Sequence, residues 1–165
     1  MEIADAEMWA MMSMEEYGLL EQGWTLVWDR AKCRAGLCDY ASRQISLSRY
    51  LTVHRPEDQV MNTVTHEVAH ALVGPMHGHD RVWQAKFIEL GGSGKRSEFF
   101  FDRNAPWIGV CGHGKHFHRY RQPGRGPYRC RCRGGFGTLA EVEDFLSRGQ
   151  VAWRRNVQGV IEHAG

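Results

Sequence analysis

The stretch EDQVMNTVTHEVAHALVGPMHGHDRVWQAKFIEL, residues 57–90, decides how the chain folds. Pro56 suits the first turn of a helix, and Glu57 and Asp58 place negative charge at the positive end of its dipole. Val60, Val64, Val68 and Leu72 recur at four-residue spacing and give that helix an apolar side. Gly74-Pro75 cannot continue it, so the pattern predicts a helix to about Val73. Away from the apolar side, His66 and His70 project from one face, about 40° apart around the axis. Two ring nitrogens so placed can bind one zinc ion, each at about 2.0–2.1 Å. Glu67 flanks the same face, where it can take a proton from a water that the ion acidifies. Asp80 is placed to cap a second helix, with Trp83, Phe87 and Leu90 on one face and Gly91-Gly92 at its end.

A zinc site needs a third protein bond, and spacing leaves the choice open. His79 follows the Gly-Pro break, where the chain can reverse and return it to the metal. Glu89 lies farther along, at a spacing like that of zinc peptidases whose third ligand is a helical glutamate. His77 is a weaker third candidate.

Outward from this stretch, residues 1–22 carry Met8, Met11, Met12, Leu19 and Leu20 among acids and read as an amphipathic helix ending near Gly23. Trp24, Leu26 and Trp28 then alternate before a turn and a second run from Arg43 to Leu47, which predicts a hairpin or small antiparallel sheet. TLAE at 138–141 has the form of a capping box and opens a short helix that stops before Gly149. A length of 165 residues suits one domain with a small appended module. The first twenty residues hold five acidic and no basic side chains, unlike a secretory signal, and no stretch is apolar for long enough to span a membrane. The expectation is a protein that is not secreted, cytoplasmic or nucleoid-associated, and monomeric.

The net charge of +2 hides an asymmetry: residues 103–140 hold eight Lys and Arg and no Asp or Glu. Within this segment, CGHGKHFHRYRQPGRGPYRCRC offers Cys111, His113, His116, His118, Cys130 and Cys132. A structural zinc wants four donors with thiolates favoured, so Cys111, Cys130 and Cys132 are expected as ligands, with His116 as the preferred fourth. Cys33 and Cys38 read as buried or turn thiols. Arg119, Arg121, Arg125, Arg129, Arg131 and Arg133 recur among Tyr120, Tyr128 and Phe136. Guanidinium groups grip phosphates and aromatic rings stack on bases, which predicts a nucleic-acid-binding surface.

HEVAHALVGPMHGHDRVWQAKFIELGG resembles the SprT-like metalloproteases, in which HExxH is followed by a Gly-His pair and an aromatic residue four positions on. Gly78, His79 and Trp83 match those positions. Upstream, GWTLVWDRAKCRAGLCDYASRQISLS is similar to the family's strand region, and downstream PWIGVC, HRYR and YRCRC resemble its zinc-ribbon segment. The C-x-C pair is shorter than the family's C-x-x-C, and Lys115 stands where relatives place a ligand. The resemblance covers roughly residues 20–136. It implies that His66, His70 and His79 bind catalytic Zn2+ and that Glu67 is the general base. It further implies an α+β, zincin-like fold of helices on a small antiparallel sheet, and cleavage of DNA-associated proteins. The expected division is 1–105 catalytic, 106–137 basic and zinc-ribbon-like, and 138–165 a helix and tail. Two alternatives stand beside it: a non-catalytic nucleic-acid-binding adaptor with structural zinc, and a gluzincin with Glu89 as third ligand.

Overall fold

The computed structural model describes residues 1–97, 100–132 and 139–156. Arg133, Phe136 and Thr138, all singled out from the sequence, lie outside the described residues. The chain is a mixed α+β structure in two compact units, Met1–Phe99 and Phe100–Gly165.

The first unit opens with α1 (Ile3–Glu16), which buries Ala6, Ala10 and Met14. It stops well before Gly23. Gly18 adopts φ +68°, its N–H reaches Glu15 O at 2.9 Å, and Leu19 N–H reaches Met14 O at 2.8 Å. That paired capping pattern ends a helix wherever a left-handed residue follows the last turn. Strands β1 (Thr25–Asp29), β2 (Gly36–Asp39) and β3 (Gln44–Ser48) form one sheet in the order β1-β3-β2. The two runs expected to form a hairpin, β1 and β3, pair parallel instead, while β2, which was not expected as a strand, pairs antiparallel with β3, so this sheet is mixed. Side-chain alternation has a period of two in either orientation and cannot reveal the difference.

A short helix not read from the sequence, α2 (Arg49–His54), follows β3 directly, with the Ser48 hydroxyl accepting Leu51 N–H at 3.0 Å. Next comes α3 (Glu57–Val73), which begins after Pro56 and ends at Gly74, whose φ of +84° no β-branched residue would adopt comfortably. The Asp80 carboxylate caps α4 (Arg81–Glu89), accepting from Val82 N at 2.9 Å and Trp83 N at 3.0 Å.

Helix α3 lies between two apolar groups. Val64 and Val68 pack with Ala10, Met14, Leu19, Trp24, Ile45 and Leu47, while Ala69 packs with Trp83 and Phe87 of α4. Burying side chains of this size contributes about 1.5–3 kcal/mol each, so both sides of α3 are fixed by strong apolar contacts.

The second unit is built on an antiparallel sheet of β4 (Trp107–Cys111), β5 (His116–Arg119) and β6 (Val151–Arg155) in the order β5-β4-β6. None of these strands was read from the sequence, because short runs of Gly, His and Arg mask the apolar alternation. Ala105, Ile108, Cys111 and Val151 are buried, and the buried Asp102 carboxylate accepts the Tyr120 hydroxyl at 2.7 Å. Helix α5 (Leu139–Arg148) stops before Gly149, as the sequence predicts. Among the described residues, no helix is long and apolar enough to cross a membrane.

Candidate functional site

His66 and His70 stand one turn apart on α3, and His79 returns from the loop after Gly74 to meet them. Their Nε2 atoms converge: His70 to His79 is 3.1 Å and His79 to His66 is 3.0 Å. Beneath them lies the buried indole of Trp83. Its ring centroid is 4.6 Å from that of His66, 5.1 Å from that of His70 in a stacked arrangement, and 4.6 Å from that of His79. The ring of His70 also bonds to the backbone of His77, which holds its orientation.

Burial favours the neutral form of all three rings, helped by repulsion among the histidines at His66 and His70 and by the Arg96 charge at His79. The His66 pKa is pushed down to about 3 and that of His70 to about 4, burial being the first cause in each, and that of His79 is lowered as well. Neutral imidazole nitrogens aimed at one point are the donor set a divalent cation requires, and the His77 backbone adds for His70 the kind of outer support that orients a ligand ring. Zinc at about 2.0–2.1 Å from each would place the nitrogens roughly 3.3 Å apart, close to the spacing seen. His77 is not in the group; its Nδ1 pairs with Asp80 Oδ2 at 2.8 Å. Glu89 is not in it either, being paired with Lys86 at 2.7 Å.

Glu67 sits beside the triad and is 6% exposed. Burial pushes its carboxyl up to about 7, against the pull of the Arg34 charge and of a hydrogen bond from the Cys38 backbone. Space for it comes from Gly36 on β2, where an added Cβ would lie 2.7 Å from both Glu67 Cγ and Oε1. The Tyr40 hydroxyl donates to His70 O at 2.9 Å and reaches Gly74 O at 3.2 Å, tying the end of α3 to the β2–β3 turn. These groups line a cleft of about 540 Å³ with His66, His70 and His79. Arg34, Gly36 and Tyr40 escaped the sequence reading as site residues. They come from a strand region whose own pattern carries no metal-site spacing.

A second group lies in the other unit: Cys111, His113, Cys130 and Cys132, with donor atoms within 4.8 Å of one another. The sequence reading chose His116, and His113 takes that place instead. Cys111 ends β4 and His116 opens β5 opposite Val110, so His116 belongs to the strand pairing while His113 sits in the connecting turn. His116 lies instead against Phe101, with ring centroids 5.5 Å apart. Backbone groups of Lys115 and His113 bond to the Cys111 sulfur and, against burial, hold its thiol below the usual range. Cys130 is brought in by pairing of 128–130 with 149–151: Cys130 N–H reaches Gly149 O at 2.7 Å and Val151 N–H reaches Tyr128 O at 2.8 Å. Cys111 and Cys132 sulfurs are 3.8 Å apart, the edge of a tetrahedron with zinc–sulfur bonds of about 2.3 Å.

Of the basic residues, Arg119 packs over Tyr128 at 4.6 Å and Trp153 at 5.3 Å. Arg129 donates to Leu146 O at 2.9 Å and so supports α5. Arg121, Arg125 and Arg131 are exposed. The strand register adds two residues missed from the sequence: Trp107 lies opposite Arg119 on one side and Arg155 on the other, so all three share a face.

Two predictions follow from this geometry. Zinc titration should find two ions per chain, with one lost in His79→Ala and the other in His113→Ala, while Glu89→Ala and His116→Ala retain both. In metal-free protein, a carboxyl with a folded pKa near 7 stabilises the fold at low pH and loses that contribution as pH rises from about 4.5 through 7. Glu67→Gln should therefore raise stability at pH 8 by about 1–3 kcal/mol and by little at pH 5, read from denaturant midpoints.

No curated protein matches the chain. The family model described as the SprT-like family matches residues 8–104, a span that contains all three sheet strands of the first unit, the histidine triad and Glu67. The chain is a member of the SprT-like family.

Proposed function

We propose that this chain is a zinc-dependent endopeptidase whose first unit is zincin-like and whose substrates are proteins associated with DNA. One observation carries the peptidase reading: a buried carboxyl with a pKa near 7 stands beside three converging neutral imidazoles on the floor of an open cleft. Family membership supports the same reaction class. Three protein donors are the set of a catalytic zinc and four are that of a structural one, which assigns different roles to the two groups. When bound at His66, His70 and His79, zinc supplies Lewis acidity toward a carbonyl and acidifies water. Glu67 takes the proton from the attacking water and later delivers it to the leaving amine, and a pKa near neutrality suits both transfers. The Cys38 backbone and the space at Gly36 hold the carboxyl for this task.

His79 is preferred to Glu89 as third ligand because Glu89 is engaged by Lys86 while His79 Nε2 meets both helix histidines. The nucleic-acid part rests on the basic segment and on Arg119 stacked over Tyr128 and Trp153, where phosphate and base contacts would lie side by side.

Glu67→Gln is expected to keep both metal ions and to lower kcat on an unstructured protein such as casein by roughly 10²–10⁴-fold. Equal cleavage by variant and parent would leave the adaptor reading in its place. Affinity for DNA should fall roughly tenfold in Arg119→Ala or Trp153→Ala and should weaken with added salt in the parent; unchanged binding in both variants would remove the nucleic-acid reading.

A further inference from the structure

The cleft of the first unit is cationic in a way that the hydrolytic machinery does not use. Arg34, Arg55, Lys95 and Arg96 all line it, and among the described lining residues the only carboxylate is Glu67. Arg34 and Arg96 act on different groups of the reaction centre. Arg34 precedes β2 and is close enough for its charge to be felt at Glu67. Arg96 follows α4 and is close enough to be felt at His79.

Arg34 is held by an ion pair, and the backbone leading to Arg96 is anchored. Arg34 Nη2 bonds Asp29 Oδ2 at 2.6 Å while its side chain keeps 44% exposure, so the guanidinium is oriented and still has donors to offer. The segment leading to Arg96 is tied down at three points. Ser93 N–H donates to Asn62 Oδ1 of α3 at 2.8 Å, Gly94 O accepts from Gln84 of α4 at 2.9 Å, and Lys95 N–H reaches Ser93 Oγ at 3.3 Å. Arg34 is thus oriented by an ion pair and Arg96 follows an anchored stretch of backbone, and both line the cleft that holds His66, His70 and His79.

We propose that the cleft selects acidic polypeptide segments, with carboxylate side chains on either side of the scissile bond paired to Arg34 and Arg96. This rests on the peptidase reading and adds a substrate class to it. A guanidinium matches a carboxylate in geometry as well as in charge, which makes the pair selective for Asp and Glu over Asn and Gln. A polypeptide fits better than a nucleic-acid strand. Carboxylates sit on separate side chains that can reach the two arginines while the backbone between them carries no charge past Glu67. A phosphate backbone would bring its charges continuously past that carboxyl.

The test uses binding, so that it stands apart from hydrolysis. Fluorescein-labelled twelve-residue peptides, identical except for Glu, Gln or Lys on both sides of the central bond, are titrated by anisotropy into full-length zinc-loaded Glu67→Gln protein. The Glu peptide should bind roughly 3–10-fold more tightly than the Gln peptide, with the Lys peptide weakest, and the preference should shrink with salt. Arg34→Gln and Arg96→Gln should each reduce that ratio, and Arg96→Glu should turn preference toward the Lys peptide, an inversion that a merely damaged fold cannot produce.

Equal affinities for the three peptides would overturn the proposal. So would loss of the preference in Arg119→Ala with none in the cleft variants, which would place peptide binding in the basic unit. Binding of an oligothymidylate to the parent protein, with Glu67 in place and affinity reduced in Arg34→Gln and Arg96→Gln, would make the cleft a nucleic-acid site and equally overturn it. Failure of the parent to cleave casein would remove the peptidase reading alone, since the peptide ratios do not depend on turnover.

Discussion

The packing of Trp83 beneath three imidazoles is the contact on which the rest of the site depends. His66 and His70 are held by helix register, but His79 arrives on a loop, and a loop residue needs a surface to rest against. The buried indole supplies that surface and touches all three rings. Trp83 is itself positioned by the Asp80 cap, which fixes the start of α4 directly after His79. His77 bonds the same Asp80, and the His77 backbone holds the His70 ring, so the loop from Gly74 to Asp80 is closed by contacts at both ends. Packing of the three rings on one indole accounts for the convergence of their nitrogens.

The same economy of parts appears around Glu67. Burying a carboxyl costs free energy unless polar partners offset it, and Glu67 meets a glycine, a hydrogen bond from the Cys38 backbone and the charge of Arg34. Gly36 is required by volume: any side chain there would occupy the carboxylate's position. The strand therefore serves the helix twice, through the space at Gly36 and through the hydrogen bond from the Cys38 backbone. In the second unit, β4 and its turn bring Cys111 and His113 together, while the pairing of 128–130 with 149–151 delivers Cys130 from a segment far along the chain. Four donors gather there against three in the first unit, the numbers that structural and catalytic zinc sites respectively use.

Much of the first unit was legible in the sequence. The boundaries of α3 and α4, the apolar stripe from Val60 to Leu72, the Asp80 cap and the grouping of His66, His70 and Glu67 all follow from local rules of period and capping. The parallel pairing of β1 with β3, the short helix α2 and all three strands of the second unit were not legible. Pairing direction and partner depend on where the chain goes after each strand, and strands of four or five residues rich in Gly, His and Arg show little alternation. The exchange of His113 for His116 has the same origin: the two differ by three positions, and only the hairpin register decides which falls in the turn and which in the strand.

By itself the sequence determined that a helix would present two histidines and a glutamate on one face, that a glycine-proline break would let the chain turn back, and that positive charge would gather in one segment. These are consequences of helical geometry, backbone sterics and composition, all local. Only the tertiary structure decided that His79 rests on Trp83 with the other two rings, that Gly36 opens room for Glu67, that Arg34 and Arg96 line one cleft, and that His113 joins three cysteines. Each of those outcomes joins residues far apart in the chain, and no short-range period encodes which distant side chains will share a volume once the apolar faces have packed.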